Sequence, residues 1–255
     1  MSTAPAEADP ILYGKPLVFK EKSHRYFWDG KPIPSVTTIL GRLQKQALIQ
    51  WAANCAVDHI EANGDESARE PGLFLVTAAC LTEARKAHTV KRDAAADVGT
   101  FLHDYARRRL AGEAVAVADA DDPTRKVIEA FEDWRAQHDI VPLGLERRSM
   151  SLKHWYAGTM DFWGTIDGRL SVLDFKTGKG IYDEYWMQTA AYEHALLEEH
   201  PHLDRMQRWI VRLDKRNGEF EAVPRPHSAA NTECFLALVE VDKYMRLSKV
   251  EAKAA

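Results

Sequence analysis

Cysteine is scarce: the 255 residues hold three, Cys55, Cys80 and Cys234. They are too few and too scattered for a disulfide scaffold, a four-thiolate zinc site or a four-cysteine iron–sulfur cluster. They point to a reducing compartment, where free thiols behave as small buried hydrophobes. Long apolar runs are missing as well; no stretch of about 18 such residues exists, which speaks against a membrane span. Nor is there an excess of positive charge, since 34 Lys and Arg stand against 38 Asp and Glu for a formal net charge of -4. That balance excludes a protein that coats nucleic acid by bulk charge, yet it leaves room for a local basic channel. A G-x-x-x-x-G-K-[ST] phosphate loop is also absent, so any duplex unwinding falls to a partner. Met1–Pro10 has neither the basic start and apolar stretch of a secretory signal nor the arginines of a transit peptide, and reads as a loose tail.

What is present is ordinary globular composition, 45% hydrophobic and 28% charged, enough for one or two domains. An aromatic strand over Ser23–Asp29 turns at Gly30 into Lys31–Pro34, a candidate hairpin. Ser35 precedes Val36, Ile39, Leu40 and Leu43 at helical spacing and reads as an N-cap. Further helices are expected over Trp51–Ile60, Phe74–Lys91 and Val98–Ala111, and another opening at Pro123 with Val127, Ile128, Phe131 and Trp134 in one stripe. From about Val141 the period becomes that of strands. Leu143–Leu152, Tyr156–Ile166 and Arg169–Thr177 form a meander, the last two joined at Asp167-Gly168, a strong hairpin signal. A helix over Glu184–Glu199, a hairpin around Asn217-Gly218 and a helix over Ser228–Leu247 complete an α+β order.

The chemistry concentrates in Tyr156–Tyr192. Leu173-Asp174-Phe175-Lys176 alternates at strand period, so Asp174 and Lys176 share a face. A turn centred between residues 167 and 168 folds Asp161 back to about Asp174. Two adjacent carboxylates repel unless a cation sits between them, and oxygen ligands suit Mg²⁺ or Mn²⁺, ions used in phosphodiester hydrolysis. Lys176 would then stabilise charge gathering on phosphorus. An isolated D-x-K is more often a surface ion pair.

This one has company. Gly99-Thr100-Phe101-Leu102-His103, Gly158-Thr159-Met160-Asp161, Asp174-Phe175-Lys176 and Gln188-Thr189-Ala190-Ala191-Tyr192 follow one another in the order G-x-x-H, G-x-x-D, D-x-K, Q-x-x-x-Y. The set resembles the RecB-type branch of the PD-(D/E)XK nuclease superfamily. Pro34-Ser35-Val36-Thr37-Thr38-Ile39-Leu40 is similar to an N-terminal element of the mitochondrial genome maintenance exonucleases and their phage and bacterial relatives. The resemblance implies a restriction-endonuclease-like core, an antiparallel meander joined to a mixed sheet, over residues 141–255. A mainly helical region carrying His103 would span 23–140, after a flexible tail and lead-in over 1–22. It implies His103, Asp161, Asp174 and the Phe175 backbone carbonyl as ligands of Mg²⁺ or Mn²⁺, without an iron–sulfur cluster. Lys176 would be the catalytic lysine, Gln188 and Tyr192 would support the site or touch the strand, and Glu146 would match an acidic residue upstream of the G-x-x-D strand.

The expected substrate is DNA, preferably single-stranded, cut from an end during recombination, repair or replication, with a helicase or recombination protein as a possible associate. The expected location is a bacterial cytoplasm, for a bacterial or phage protein. Arg107, four residues after His103 on the same helix face, together with Lys153, Lys179 and Tyr185, are candidates for DNA contact. Tyr26, Trp28 and Trp155 read as exposed stacking residues, and Trp51, Trp134 and Trp163 as packing ones. A structure-selective endonuclease or nickase shares the same residues, and a catalytically silent binding module is the alternative from another class.

Overall fold

A computed structural model of the chain describes residues 9–43, 46–66, 72, 74–117 and 120–254. The chain divides into two compact units, one of Met1–Arg42 with Leu102–Ala255 and one of Leu43–Phe101. This division differs from the expected boundary near residue 140, because a mid-chain segment folds on itself while the N-terminal strands join the later sheet-bearing part.

The larger unit begins with a four-stranded antiparallel sheet, β1 (Ile11–Leu12), β2 (Lys15–Lys20), β3 (Arg25–Trp28) and β4 (Lys31–Ile33). The β3–β4 hairpin was legible in the sequence; the lead-in through residue 22 was not loose as expected. Tyr13 and Gly14 both take positive φ, 49° and 78°, and close a turn that lets Leu12 and Leu17 pack with Tyr26, Ile33, Met150 and Ala157. Residues 1–8 of the expected tail lie outside the described residues. Helix α1 (Val36–Leu40) starts where Ser35 predicts, its hydroxyl accepting the Thr38 N–H at 3.0 Å, and stops at Gly41.

The smaller unit holds α2 (Gln46–Asn63), β5 (Asp65–Glu66), β6 (Phe74–Leu75), α3 (Ala78–Ala84) and the first turns of α4 (Ala87–Leu110). The expected helices over 74–91 and 98–111 are corrected: the break falls at Arg85–Lys86, where the Lys86 N–H turns back to Glu83 O at 2.9 Å, with no Gly or Pro to mark it. Cys55 and Cys80 are buried as expected, whereas Cys234, in the larger unit, is exposed.

In the larger unit, α5 (Asp122–Gln137) is capped by Asp121 and buries Val127, Ile128, Phe131 and Trp134, the predicted stripe. A five-stranded sheet follows: β7 (Ile140–Ser151), β8 (Tyr156–Ile166), β9 (Arg169–Lys176), β10 (Gln207–Leu213) and β11 (Phe220–Arg225), in the order β11-β10-β9-β8-β7. The β7–β8–β9 meander is antiparallel, as is β10–β11. Helix α6 (Asp183–Glu199) makes the crossover that places β10 parallel to β9, and α7 (Ala229–Ala254) closes the chain. The result is the mixed α+β class expected. One sheet face presents Phe162, Leu173, Phe175 and Val211 to Phe131 and Leu102. Fully burying a side chain such as Phe175 contributes about 1.5–3 kcal/mol, so this face fixes the strand whose alternate residues are Asp174 and Lys176. No helix among the described residues is long and apolar enough to cross a membrane.

Candidate active site

The β8–β9 hairpin sets the site. Asp167 and Gly168 adopt the positive φ values, 51° and 74°, of the predicted tight turn, and the ladder runs from Ile166↔Arg169 to Phe162↔Leu173. Asp161 and Asp174 come next on each strand, in the register predicted. Beyond that last pair the strands part, and Asp161 Oδ2 accepts the Phe175 backbone N–H at 2.6 Å.

Asp174 is buried and Lys176 nearly so. The Lys176 ammonium faces Asp174 Oδ2 and donates to Gln188 Oε1 at 3.0 Å, with the Tyr185 ring centroid 4.8 Å from Nζ. Gln188 Nε2 donates to Asp174 Oδ1 and to the Tyr192 hydroxyl, both at 2.9 Å. The amide is thereby fully committed, its oxygen to a cation and its two N–H bonds to acceptors, which fixes its orientation. Residues 185, 188 and 192 lie one turn apart along α6, so one helix face braces both charged groups.

Gly158 permits this bracing. A Cβ there would come within 2.6 Å of Tyr192 Cε1 and 3.1 Å of Val36 Cγ2. The glycine of G-x-x-D thus lets the tyrosine of Q-x-x-x-Y lie directly on β8. Tyr26, expected to be exposed, is buried, and its hydroxyl bonds Thr159 Oγ1 at 2.7 Å. Trp28 and Trp155 are half-buried and meet edge to face, each indole N–H bonded to a backbone carbonyl. Of the expected packing tryptophans, Trp134 is buried while Trp51 and Trp163 are half-buried.

His103, on α4, has Nδ1 3.8 Å from Asp161 Oδ2 and its ring edge against Phe175. Burial depresses its pKa; Asp161 opposes that, and the charges of Lys176 and Lys215 add to it. That direction favours the neutral imidazole, the form that can ligate a metal. Glu146 lies on β7 between Leu145 and Arg147, whose partners Phe162 and Met160 flank Asp161. Its φ is 49°, a left-handed conformation that costs a non-glycine residue about 1–3 kcal/mol. Glu146 as a whole is exposed. Burial, then Asp161, raises its pKa to about 7; Arg107 pulls the other way, and Asp174 and Asp104 raise it further. Burial also raises the pKa of Asp174, against the pull of Lys176 and with a push from Asp161.

Three carboxylates, one imidazole and one lysine thus act on one another. Asp174 Oδ2 pairs with the Lys176 ammonium, and Asp174 Oδ1 with Gln188. Among the described residues, however, no group of three or more His, Cys, Asp or Glu side chains is already disposed as a metal cage.

The remaining candidates divide. Arg107 joins the site through its field on Glu146 and is held by Asp104 at 2.6 Å. Tyr185 joins it beneath Lys176. Lys179 is exposed in the segment between β9 and α6. Lys153 is not brought to the site: it sits in the β7–β8 turn, where its backbone N–H bonds Glu198 Oε1 at 2.9 Å, and it lines a separate cleft with α7. Sequence reasoning missed Lys215, whose charge reaches His103. Only its place before the Asn217-Gly218 turn could have drawn attention to it, because the parallel pairing that carries it there is not local.

No family model matches the chain, and no curated protein matches it. Among solved structures the chain is similar to that of SSO0001, at 10% identity and a TM-score of 0.34, covering 81% of this chain and 72% of that one. It is also similar to LHK-Exo in complex with dAMP, at 14% identity and a TM-score of 0.31, covering 63% of this chain and 92% of that one. A further structure of LHK-Exo, an alkaline exonuclease from Laribacter hongkongensis, gives the same identity and coverage with a TM-score of 0.28. Identities and TM-scores this low carry no argument about function.

Proposed function

We propose that the chain is a Mg²⁺- or Mn²⁺-dependent deoxyribonuclease of the PD-(D/E)XK type, acting without sequence preference on single-stranded DNA or frayed ends. The observation that carries this reading is the convergence of Asp161, Asp174, Lys176 and Gln188 where the end of β9 parts from the middle of β8. A merely structural Asp–Lys pair needs no second carboxylate, no third at Glu146 and no committed amide.

The donor set suits a hard divalent ion: the carboxylates of Asp161 and Asp174 beside the imidazole of His103, whose pKa burial lowers. Asp161, Asp174, His103 and the Phe175 carbonyl would hold it. When bound, the ion would supply charge neutralisation and an acidified water.

The chain's own residues do the rest. Lys176 places its ammonium where negative charge grows on the phosphoryl oxygens as water adds to phosphorus and the P–O bond breaks. Gln188 holds that ammonium beside Asp174, and Tyr192 holds Gln188. Glu146, with a carboxyl that titrates near 7, is poised to exchange a proton with the attacking water or the leaving oxygen. Arg107 and Lys179 would meet backbone phosphates.

The test is a substrate panel. Purified protein with Mg²⁺ or Mn²⁺ is given end-labelled single-stranded, duplex and flap DNA together with single-stranded circles. Progressive shortening of linear strands with circles spared is the expected result. Cut circles would replace the exonuclease reading with the endonuclease one, and an inert protein with both ions would reject the nuclease reading.

A further inference from the structure

We propose that the outer face of the four-stranded sheet β1–β4 is a holding surface for single-stranded DNA, on which Phe27 stacks a base while Lys20 and Arg25 meet backbone phosphates; the inference rests on the chain being a nuclease of single strands.

Alternation divides the sheet into two faces. Leu12, Leu17, Tyr26 and Ile33 turn inward to a core shared with Met150 and Ala157. Their neighbours Pro16, Val18, Phe27 and Pro32 fall on the other face, where Val18 lies opposite Phe27 and Phe27 opposite Pro32. Ile11, opposite Pro16, extends the row and is 67% exposed. An apolar row thus crosses all four strands, and Pro16, Val18 and Phe27 line a groove of about 490 Å³ along it. Lys20 and Arg25, paired across β2 and β3 and both exposed, close one end of the row. Lys20 Nζ stands 4.5 Å from the Phe27 ring centroid, so an aromatic face and an ammonium are offered together, as a base and its phosphate require.

The charge here is positive in excess. Residues 9–33 hold five Lys and Arg against three Asp and Glu, in a chain whose formal net charge is -4. Two of those carboxylates are answered, Asp9 by Arg148 of β7 and Asp29 by Lys15 at 2.5 Å, with Lys31 adding its field at Asp29. That leaves Glu21 against Lys20, Lys22, Arg25 and Lys31, and no carboxylate among the described residues forms an ion pair with Lys20 or Arg25. Such a surface complements a polyanion. The sheet is fastened to the site from behind, where the Tyr26 hydroxyl bonds Thr159 Oγ1 at 2.7 Å, two residues before Asp161 on β8. The outer face turns away from Asp161, so a strand lying there is held and not cut. A flat apolar row with flanking cations suits unpaired bases, each of which has a face to stack, whereas duplex would call for an element that enters a groove.

The test separates this surface from catalysis. Binding of a fluorescein-labelled oligothymidylate is followed by anisotropy in EDTA, at several salt concentrations, for four full-length proteins: wild type, Phe27→Leu, the double variant Lys20→Gln/Arg25→Gln and the control Arg169→Gln/Lys243→Gln. Arg169, exposed where β9 begins, and Lys243, exposed on α7, remove the same charge elsewhere. Melting temperatures are measured in parallel. Lys20→Gln/Arg25→Gln is expected to weaken binding about tenfold and to reduce the salt slope by about 1.4, the value for two lost contacts to a single strand. Phe27→Leu keeps an apolar side chain and should weaken binding about fivefold at an unchanged slope, as the loss of one stacked base does. The control should change affinity by less than about twofold. Unchanged affinity and slope in Lys20→Gln/Arg25→Gln, an equal loss in the control, full affinity in Phe27→Leu, or no DNA binding by the wild type would overturn the proposal. A lowered melting temperature with an unchanged slope in Lys20→Gln/Arg25→Gln would mark the two residues as structural and overturn it too. Because no cleavage is read, a wild type that binds the strand yet stays inert with Mg²⁺ or Mn²⁺ would defeat the nuclease reading separately.

Discussion

The Tyr192 ring occupies the space that a side chain at Gly158 would fill, 2.6 Å from the position of its Cβ. Two residues 34 positions apart in the sequence are thereby matched, one small because the other is large. Gly158→Ala should push Tyr192 off β8 and loosen Gln188, at a cost of about 1–3 kcal/mol in stability. Urea unfolding would measure that loss, and cleavage should fall at least tenfold. Normal stability with normal activity would mean that the contact is not tight.

Gln188 connects the two charged groups, so its loss should act on turnover rather than on affinity. Gln188→Ala would leave Lys176 and Asp174 facing each other without the amide that spaces them. We expect kcat to fall about 10–100-fold with KM nearly unchanged, in line with other residues that orient first ligands. A change in KM alone would assign Gln188 to strand binding.

Away from the site, Glu132 on α5 accepts from Arg109 at 2.8 and 2.9 Å, from Arg135 at 2.9 and 3.1 Å and from Tyr105 at 3.1 Å. Arg109 above all, against partial desolvation, lowers its pKa from 4.5 to about 2. A depressed carboxylate pKa gives stability that is complete above about pH 4.5 and is lost as pH falls towards 2. The group is partly exposed, so screening limits the gain to about 1 kcal/mol. Glu132→Gln should be less stable than wild type by that amount at pH 7, and the gap should close in acid. A gap that persists at pH 2 would point to packing instead.

Divalent ions should stabilise the protein if they bind the folded site. Saturating Mn²⁺ at about a hundred times its dissociation constant adds about 2.7 kcal/mol, or roughly 2–4 °C of Tm per kcal/mol in a chain of this size. Asp161→Asn should abolish the increment, while its amide oxygen can still accept the Phe175 N–H. Equal shifts in both proteins would place the ion elsewhere.

Much of this was legible in the sequence because it is local. Asp167-Gly168 fixes the β8–β9 register, and that register brings Asp161 to Asp174 within one pair of the observed end of the ladder. Ser35, Pro123 and the stripe on α5 announce helix starts by capping and spacing. What escaped is non-local or unpunctuated. The α3–α4 break has no Gly or Pro, the strands before residue 22 are short and find their core only across the fold, and the parallel pairing of β9 with β10 is not local. Lys153 was drawn in by its closeness in sequence to Asp161, although the length of β8 keeps it apart.

The most direct measurement compares wild type with Lys176→Ala and Asp174→Ala on end-labelled single-stranded DNA under single-turnover conditions with Mn²⁺, after circular dichroism has shown all three folded. Metal-dependent cleavage by the wild type is expected, with a loss of about 10²–10³-fold or more in each variant. Undiminished cleavage in either variant, or none by the wild type with Mn²⁺ or Mg²⁺, would contradict the assignment of Asp174 and Lys176 to a nuclease centre.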